Sequence, residues 1–250
     1  MTMDAATIAR LNDLNRRFYR RHAAAFDAKR RAPWPGWERI VASPAAGGRP
    51  AILDVGCGNA RYGLEAERRL GRPVDYVGLD ASRELLRLAR ARTPSHWRFV
   101  EADFVACGLP LARECRFDLV TCFGVLHHVP GEAVRAALLT SLAARLAPGG
   151  RLAVSFWRFG ERRRFRGRAL DRHAPGGWPV EGLDTSELEA NDYLLPWGEE
   201  RPDRPWRYCH WVDGEEIERL VTGLGLRRLD EYTADGRSGD LNHYCVLERD

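Results

Sequence analysis

A short apolar run that ends in an acid and then breaks into paired glycines most limits how this chain can fold: Ala51-Ile52-Leu53-Asp54-Val55-Gly56-Cys57-Gly58-Asn59-Ala60-Arg61. It reads as a buried parallel strand turning sharply into a helix. The first glycine permits the tight turn and the second lets the backbone approach a ligand, while the following helix presents free N–H groups to an anion. Many G-x-G turns need glycine only for positive φ, so the flanks decide. Arg61 stands where a dinucleotide fingerprint places its third glycine, which weakens a pyrophosphate reading. The next candidate strand, 75–80, ends in Asp80, 22 positions after Gly58. At that spacing a carboxylate reaches both ribose hydroxyls. Asp103 closes a third strand.

Ahead of the turn, Ile8, Leu11, Leu14, Phe18 and Phe26 recur at helical spacing among arginines, which predicts an amphipathic helix over 8–26 serving as a lid or cap. Pro33 and Pro35 then stop the helix and fix an extended segment carrying Trp34 and Trp37. Residues 42–50, rich in Ala, Gly and Pro, form a linker. Helices are predicted over 62–70, 82–92 (with Ser82 as N-cap) and 132–146, and strands over 97–101, 117–123 and 151–157. This β/α alternation gives a parallel sheet wound on both faces, with ligands held at the carboxyl ends of its strands, where Asp54, Asp80, Asp103 and Gly124 fall.

From 158 to 211 the pattern breaks into a long Pro- and Gly-bearing insertion. Its first part, 158–172, holds seven arginines against Glu161 and Asp171; its second part is too aromatic for a solvated linker. A last helix over 214–222 leads to strands near 226–232 and 243–247. The whole reads as one domain over 1–250: cap and linker 1–50, core 51–157, insertion 158–211, closing helix and strands 212–250.

A 250-residue chain with 44% hydrophobic residues can bury a core for one substantial α/β domain. The net charge of +4 does not by itself mark a nucleic-acid binder. Lys29 is the only lysine, so each arginine cluster carries the alternative of compositional bias. Six cysteines lack any C-x-x-C pair, which indicates neither a disulfide framework nor a zinc site and points to a reducing, cytoplasmic setting. No stretch is long and apolar enough to span a bilayer, and no membrane association is expected.

The Asp54–Asn59 turn with the strand-end acids resembles the class I S-adenosylmethionine-dependent methyltransferases. That resemblance implies a Rossmann-like, doubly wound, mostly parallel seven-stranded sheet with an antiparallel last strand. It also implies S-adenosylmethionine as cofactor: Gly56 and Gly58 at the methionine carboxylate, Asp54 near the ammonium or sulfonium, Asp80 on the ribose, Asp103 and Phe104 at the adenine, and Phe123 beneath the sulfonium. More narrowly, Phe18-Tyr19, Phe26, Arg30, Trp34-Pro35, Pro196-Trp197, Arg207-Tyr208-Cys209-His210, Gly214-Glu215 and Asn242-His243-Tyr244 resemble the tRNA wobble-uridine carboxymethyl methyltransferases. The implied reaction is methyl esterification of 5-carboxymethyluridine. Tyr208, Trp197, Asn242 and Tyr244 would then bind substrate, with tRNA and a small zinc-binding activator protein as partners. Within that reading Arg207 is expected to grip the acceptor carboxylate and His210, three residues on, to add a hydrogen bond if the segment is a turn or helix. Alternatively Arg207 pairs with Glu215 or Asp213 and His210 is simply packed.

Ala60 departs from the family's usual glycine, Cys209 and Trp211 replace its aromatic and aliphatic residues, and the arginine-rich insertion differs in composition. His127 and His128 read either as structural residues or as a general base. Two other function classes stay open: a methyltransferase for a small-molecule carboxylate or hydroxyl, and a non-catalytic binding module.

Overall fold

The computed structural model describes residues 3–40, 48–198 and 204–250. Most of the linker expected over 42–50 lies outside them. A seven-stranded sheet is assembled from β1 (Ala51–Val55), β2 (Asp75–Asp80), β3 (Arg98–Glu101), β4 (Phe117–Phe123) and β5 (Leu146–Trp157), with β9 (Arg227–Ala234) and β10 (Asn242–Glu248) at its far edge. Strand order is β3-β2-β1-β4-β5-β10-β9. The first five strands are parallel, and β10 runs antiparallel to both β5 and β9.

Alternation along each strand divides the core in two. Leu53 and Val55, Val120 and Cys122, and Leu152 and Val154 meet α4 (Glu132–Ala143) and α6 (Gly214–Thr222) through Leu139, Leu142, Ile217 and Leu220. Their neighbours Ile52, Leu119 and Ala153 face the other way, onto Tyr62 and Ala66 of α2 (Arg61–Leu70) and Leu86 and Ala89 of α3 (Arg83–Arg90). This is the period-two rule of a strand buried on both faces. Ser82 caps α3, its Oγ accepting the Leu85 N–H at 3.3 Å.

The insertion is more ordered than its polar sequence indicates. After the single turn α5 (Arg163–Arg166), the strands β6 (Leu170–Asp171), β7 (Asp192–Pro196) and β8 (Trp206–His210) form a separate antiparallel sheet. Helix α1 (Ala5–Ala28), capped by Asp4, lies against it. Leu11 of α1 packs with Leu194 of β7 and Tyr208 of β8 in a third apolar cluster. The buried face of α1 also carries Asn12, Asn15 and Asp27. Asn15 pairs with both backbone groups of Tyr208, accepting its N–H at 2.9 Å and donating to its carbonyl at 3.1 Å.

Candidate cofactor and acceptor site

At the carboxyl ends of the parallel strands, beneath α1, lies a cavity of about 460 Å3. One wall is acidic. The chain leaves β1 through Gly56 (φ 73°) and Gly58 (φ 55°). A Cβ on Gly56 would stand 2.1 Å from Val125 Cγ2, so only glycine fits. A Cβ on Gly58 would meet nothing within 4 Å, and that residue lines the cavity. Asp54, 3% exposed, accepts hydrogen bonds from Tyr76 Oη at 2.6 Å and Thr121 Oγ1 at 2.8 Å. Burial nevertheless pushes its carboxyl up to about 6. Asp80 accepts the Gly58 N–H and the Ser82 N–H, each at 2.8 Å, tying the glycine turn to the start of α3, and burial raises its pKa as well. Asp103 takes two partners from α1, Asn12 Nδ2 at 3.0 Å to each oxygen and Arg16 at 3.2 Å, and also accepts the Ala106 N–H at 3.1 Å.

The rest of the lining is basic and aromatic. Arg207 of β8 is 7% exposed, lies against the rings of Trp157 and Phe18 at 5.4 and 5.7 Å, and leaves its Nε without a partner. Arg30 stacks on Phe26 at 3.9 Å; burial lowers its pKa, and Arg207 nearby lowers it further. Arg61 spans Trp34 and Trp37 and donates to the Ala32 carbonyl at 2.7 Å, with burial pulling it to about 10. None of these three guanidiniums makes an ion pair with an acid among the described residues. His128 Nδ1 lies 2.8 Å from the Tyr208 carbonyl, which can only accept, so Nδ1 carries the proton and Nε2 accepts from Tyr19 Oη at 2.7 Å. Burial, with Arg207, drives His128 down to about 3; His127 is also driven well down, and its Nδ1 is unpartnered. Both imidazoles are therefore neutral and weakly basic.

Residues 52–150 match the methyltransferase domain family model. Over 233 residues the chain is 28% identical to a putative methyltransferase of Encephalitozoon cuniculi, covering 93% of this chain and 94% of the relative. It is 24% identical to the ubiquinone biosynthesis O-methyltransferase of Idiomarina loihiensis, covering 79% and 74% respectively. A third relative, the tRNA (carboxymethyluridine(34)-5-O)-methyltransferase ALKBH8 of Macaca fascicularis, is 28% identical over 56% of this chain and 19% of its own length. Among solved structures, the DhpI-SAM-HEP complex superposes with a TM-score of 0.62 at 18% identity, covering 96% of this chain and 98% of that one. The chain carries an S-adenosylmethionine-dependent methyltransferase domain. The cavity fits that cofactor: Gly58 leaves room for close approach, and the buried Asp54 carboxylate has no ion-pair partner among the described residues.

The methyltransferase cavity gathers Asp54, Gly56, Gly58, Asp80, Asp103, Phe104, Phe123, Arg207 and Asn242 in its lining. Four residues expected at the acceptor do not line it. The Arg207–His210 segment is a strand, where side chains three apart point to opposite faces. Accordingly His210 and Tyr208 face away from Arg207, and both bond Asp192 Oδ1 at 2.7 Å. His210 therefore cannot reach an acceptor that Arg207 holds. Tyr244 is buried against Tyr232, ring centroids 5.1 Å apart, and donates to Asp235 at 2.6 Å. Trp197 packs on Phe18 and His22 of α1, with Lys29 Nζ 4.8 Å from its ring. Asn242 does line the cavity, but its amide already donates to Asp235 at 2.7 Å.

Sequence reasoning passed over Asn12, Arg16 and Asp235. The first was visible in principle: an Asn one position from Leu11 on an otherwise apolar stripe marks a polar group buried for a reason. Asp235, held at φ 71°, sits in the loop between β9 and β10 and is bonded by Asn242 and Tyr244 of β10 and by the Gly36 N–H from the far end of the sequence, a contact no local pattern announces.

Proposed function

We propose that this methyltransferase esterifies a carboxylate, and that the acceptor is the 5-carboxymethyl group of a tRNA uridine. The observation that carries this reading is Arg207: a buried guanidinium with an unpartnered Nε, beside Arg30, in the lining of the same cavity as the glycine turn. A buried charge without a counter-ion costs several kcal/mol, and an anionic acceptor supplies that counter-ion. A guanidinium fork also matches carboxylate geometry. The ALKBH8 relative supports the identity of the acceptor.

Bound S-adenosylmethionine supplies an activated methyl group. The chain's own residues supply aim. Arg207 and Arg30 orient the carboxylate, while Tyr19, Phe26, Trp34 and Trp157 form apolar walls that exclude water. A carboxylate, with an ordinary pKa near 4, is already ionised at neutral pH and needs no base. Fixing its position is where the rate arises. Methylation of a hydroxyl, the small-molecule alternative suggested by the ubiquinone biosynthesis O-methyltransferase relative, requires a general base. His127, with its unpartnered Nδ1, is the group placed for that role, and its lowered pKa makes it a weak one.

The test is incubation with methyl-labelled S-adenosylmethionine and tRNA bearing 5-carboxymethyluridine, followed by mild alkali. Label released as methanol supports the ester; label that survives alkali, or labelling of phenols alone, refutes it. A companion activator protein and a cytoplasmic setting are further parts of this proposal. Reconstitution with and without a small zinc-binding protein tests the first, and localisation of the tagged chain tests the second.

A further inference from the structure

Beside the acceptor cavity is a second, open hollow of about 360 Å3, lined by Glu161, Arg162, Arg163, Arg164, Arg237 and Ser238, together with Gly236 and Leu241. Gly236 and Leu241 also line the acceptor cavity, so the two spaces share a wall. Its acids are already matched: Glu161 binds Arg158 at 2.9 Å, and Asp240 at its edge pairs with Arg162. Arg163, Arg164 and Arg237 are exposed and ion-paired to no acid among the described residues, Arg164 lying over the Phe165 ring at 4.6 Å. Three guanidiniums are thus left over on one rim.

We infer that this hollow is a phosphate-binding vestibule, which grips the sugar-phosphate backbone of an RNA chain beside the nucleotide entering the acceptor cavity. The inference rests on the carboxymethyluridine reading for its geometry, since a base inserted past Gly236 and Leu241 leaves its flanking phosphates outside. Guanidinium forks suit phosphate oxygens, and several on an open rim suit a polyanion better than a single small anion. A lipid surface is a poorer match: Leu64 of α2 is the only exposed large hydrophobic among the described residues, so no apolar face accompanies the charge. The composition-bias alternative is met by placement, because it does not account for unpaired arginines converging from two segments, 163–164 and 237, on one hollow.

The experiment measures anisotropy of a labelled, unmodified anticodon stem-loop RNA across a salt series, so it needs no catalysis. The comparison is between wild type, R163Q/R164Q/R237Q, and a control triple, R72Q/R113Q/R116Q, at the amino ends of the strands. Each lost phosphate contact lowers the slope of log affinity against log salt by about 0.7 for single-stranded RNA. Three contacts lower it by about 2, so the affinity lost between about 50 and 200 mM salt shrinks by about sixteenfold. Unchanged cofactor affinity shows that the triple variant is folded, and R237E alone, at a residue with no ion pair to break, should weaken binding in the same direction. An unaltered slope, an equal drop in the control triple, or no RNA binding by wild type overturns the vestibule. So does displacement of the RNA by uridine 5′-monophosphate at constant ionic strength, which would assign the hollow to a free phosphate. Failure of the ester assay with slopes as expected would refute the acceptor reading and leave the vestibule standing.

Discussion

Arg207 and His210 are three residues apart on β8; both are buried, and they face opposite environments. His210 donates to Asp192 at 2.7 Å and Glu216 at 2.8 Å, with Glu189 at 3.3 Å. Beside it the fully buried Arg135 binds Glu216 and Glu189, each at 2.7 Å. Together these residues join α4, α6, β7 and β8. Arg207, on the other face, meets aromatic rings and, among the described residues, no acid. A buried charge that the fold itself satisfies holds the structure together, whereas one left unsatisfied is kept for something that binds. The two faces of one strand thus divide stability from function.

The largest effect expected is on the satisfied side. His210→Leu leaves Asp192 buried without a cation and strips Glu216 of one of its two, Arg135 remaining, and should cost about 3 to 5 kcal/mol of folding stability, read by urea unfolding. Its pH signature has a definite sign. Burial pulls the His210 pKa down, but the hydrogen bonds to Asp192 and Glu216 prevail, so it lies above the ordinary 6.5. The stabilisation is therefore complete below about pH 6.5 and is lost as pH rises through the raised value. A wild-type stability that does not fall relative to His210→Leu between pH 6.5 and the alkaline range would break the comparison. On the unsatisfied side, Arg207→Ala should lower ester formation at least about a hundredfold, the scale of a lost positioning contact, while cofactor affinity and melting temperature hold. A melting temperature that collapses would make Arg207 structural, and near-normal turnover would remove the proposed carboxylate clamp.

The acidic wall was legible in the sequence because each part is local. Asp54, Asp80 and Asp103 end or follow short apolar runs, and Gly56 and Gly58 announce their turn. Ala60 shows how far such reading reaches: it takes the left-handed φ of 59° at the head of α2, which explains why a glycine is usual there. The basic wall was legible only in part. Arg30, Arg61 and Arg207 come from the end of α1, the start of α2 and a strand of the insertion, and no spacing rule links them. The expected role of His210 required 207–210 to be a turn or helix; the alternation of Arg207 and Cys209 against Tyr208 and His210 is that of a strand, and the packed alternative for His210 is the one the fold adopts. β6, β7 and β8 went unseen as a sheet because β6 is only two residues long and β7 and β8 are joined through a polar stretch.

Smaller effects sharpen the contrast within the cavity. Asp80→Asn keeps the side chain's size but turns an amide NH2 on one of the two backbone N–H groups that Asp80 accepts, and it removes a charged acceptor, so S-adenosylmethionine should bind about ten to a hundred times more weakly, a loss of about 1.5 to 3 kcal/mol by calorimetry. Unchanged affinity in the folded variant would detach Asp80 from the ribose.

Asp54 gives the finest test, because burial brings its charge into titration near neutrality. Burial places its carboxyl at about 6, moderated by Tyr76 and Thr121; Asp80 raises it and Arg61 lowers it. A cation brought beside it favours the ionised form and lowers that pKa. Below about pH 6 cofactor binding must therefore release a proton, and affinity should fall by up to about tenfold per pH unit as acidity increases. Above pH 7 this group contributes no further change. His128, at about 3, and His127, driven well down, stay neutral through that window, so they do not mask the slope. Asp54→Asn should flatten it, which separates Asp54 from Asp80. S-adenosylhomocysteine keeps the ammonium but lacks the sulfonium charge. Equal slopes for the two ligands would place Asp54 at the ammonium, and a slope confined to S-adenosylmethionine would place it at the sulfonium. No slope for either would mean that the buried acid does not face the cofactor's charge, and its pairing with Tyr76 and Thr121 would then be wholly structural.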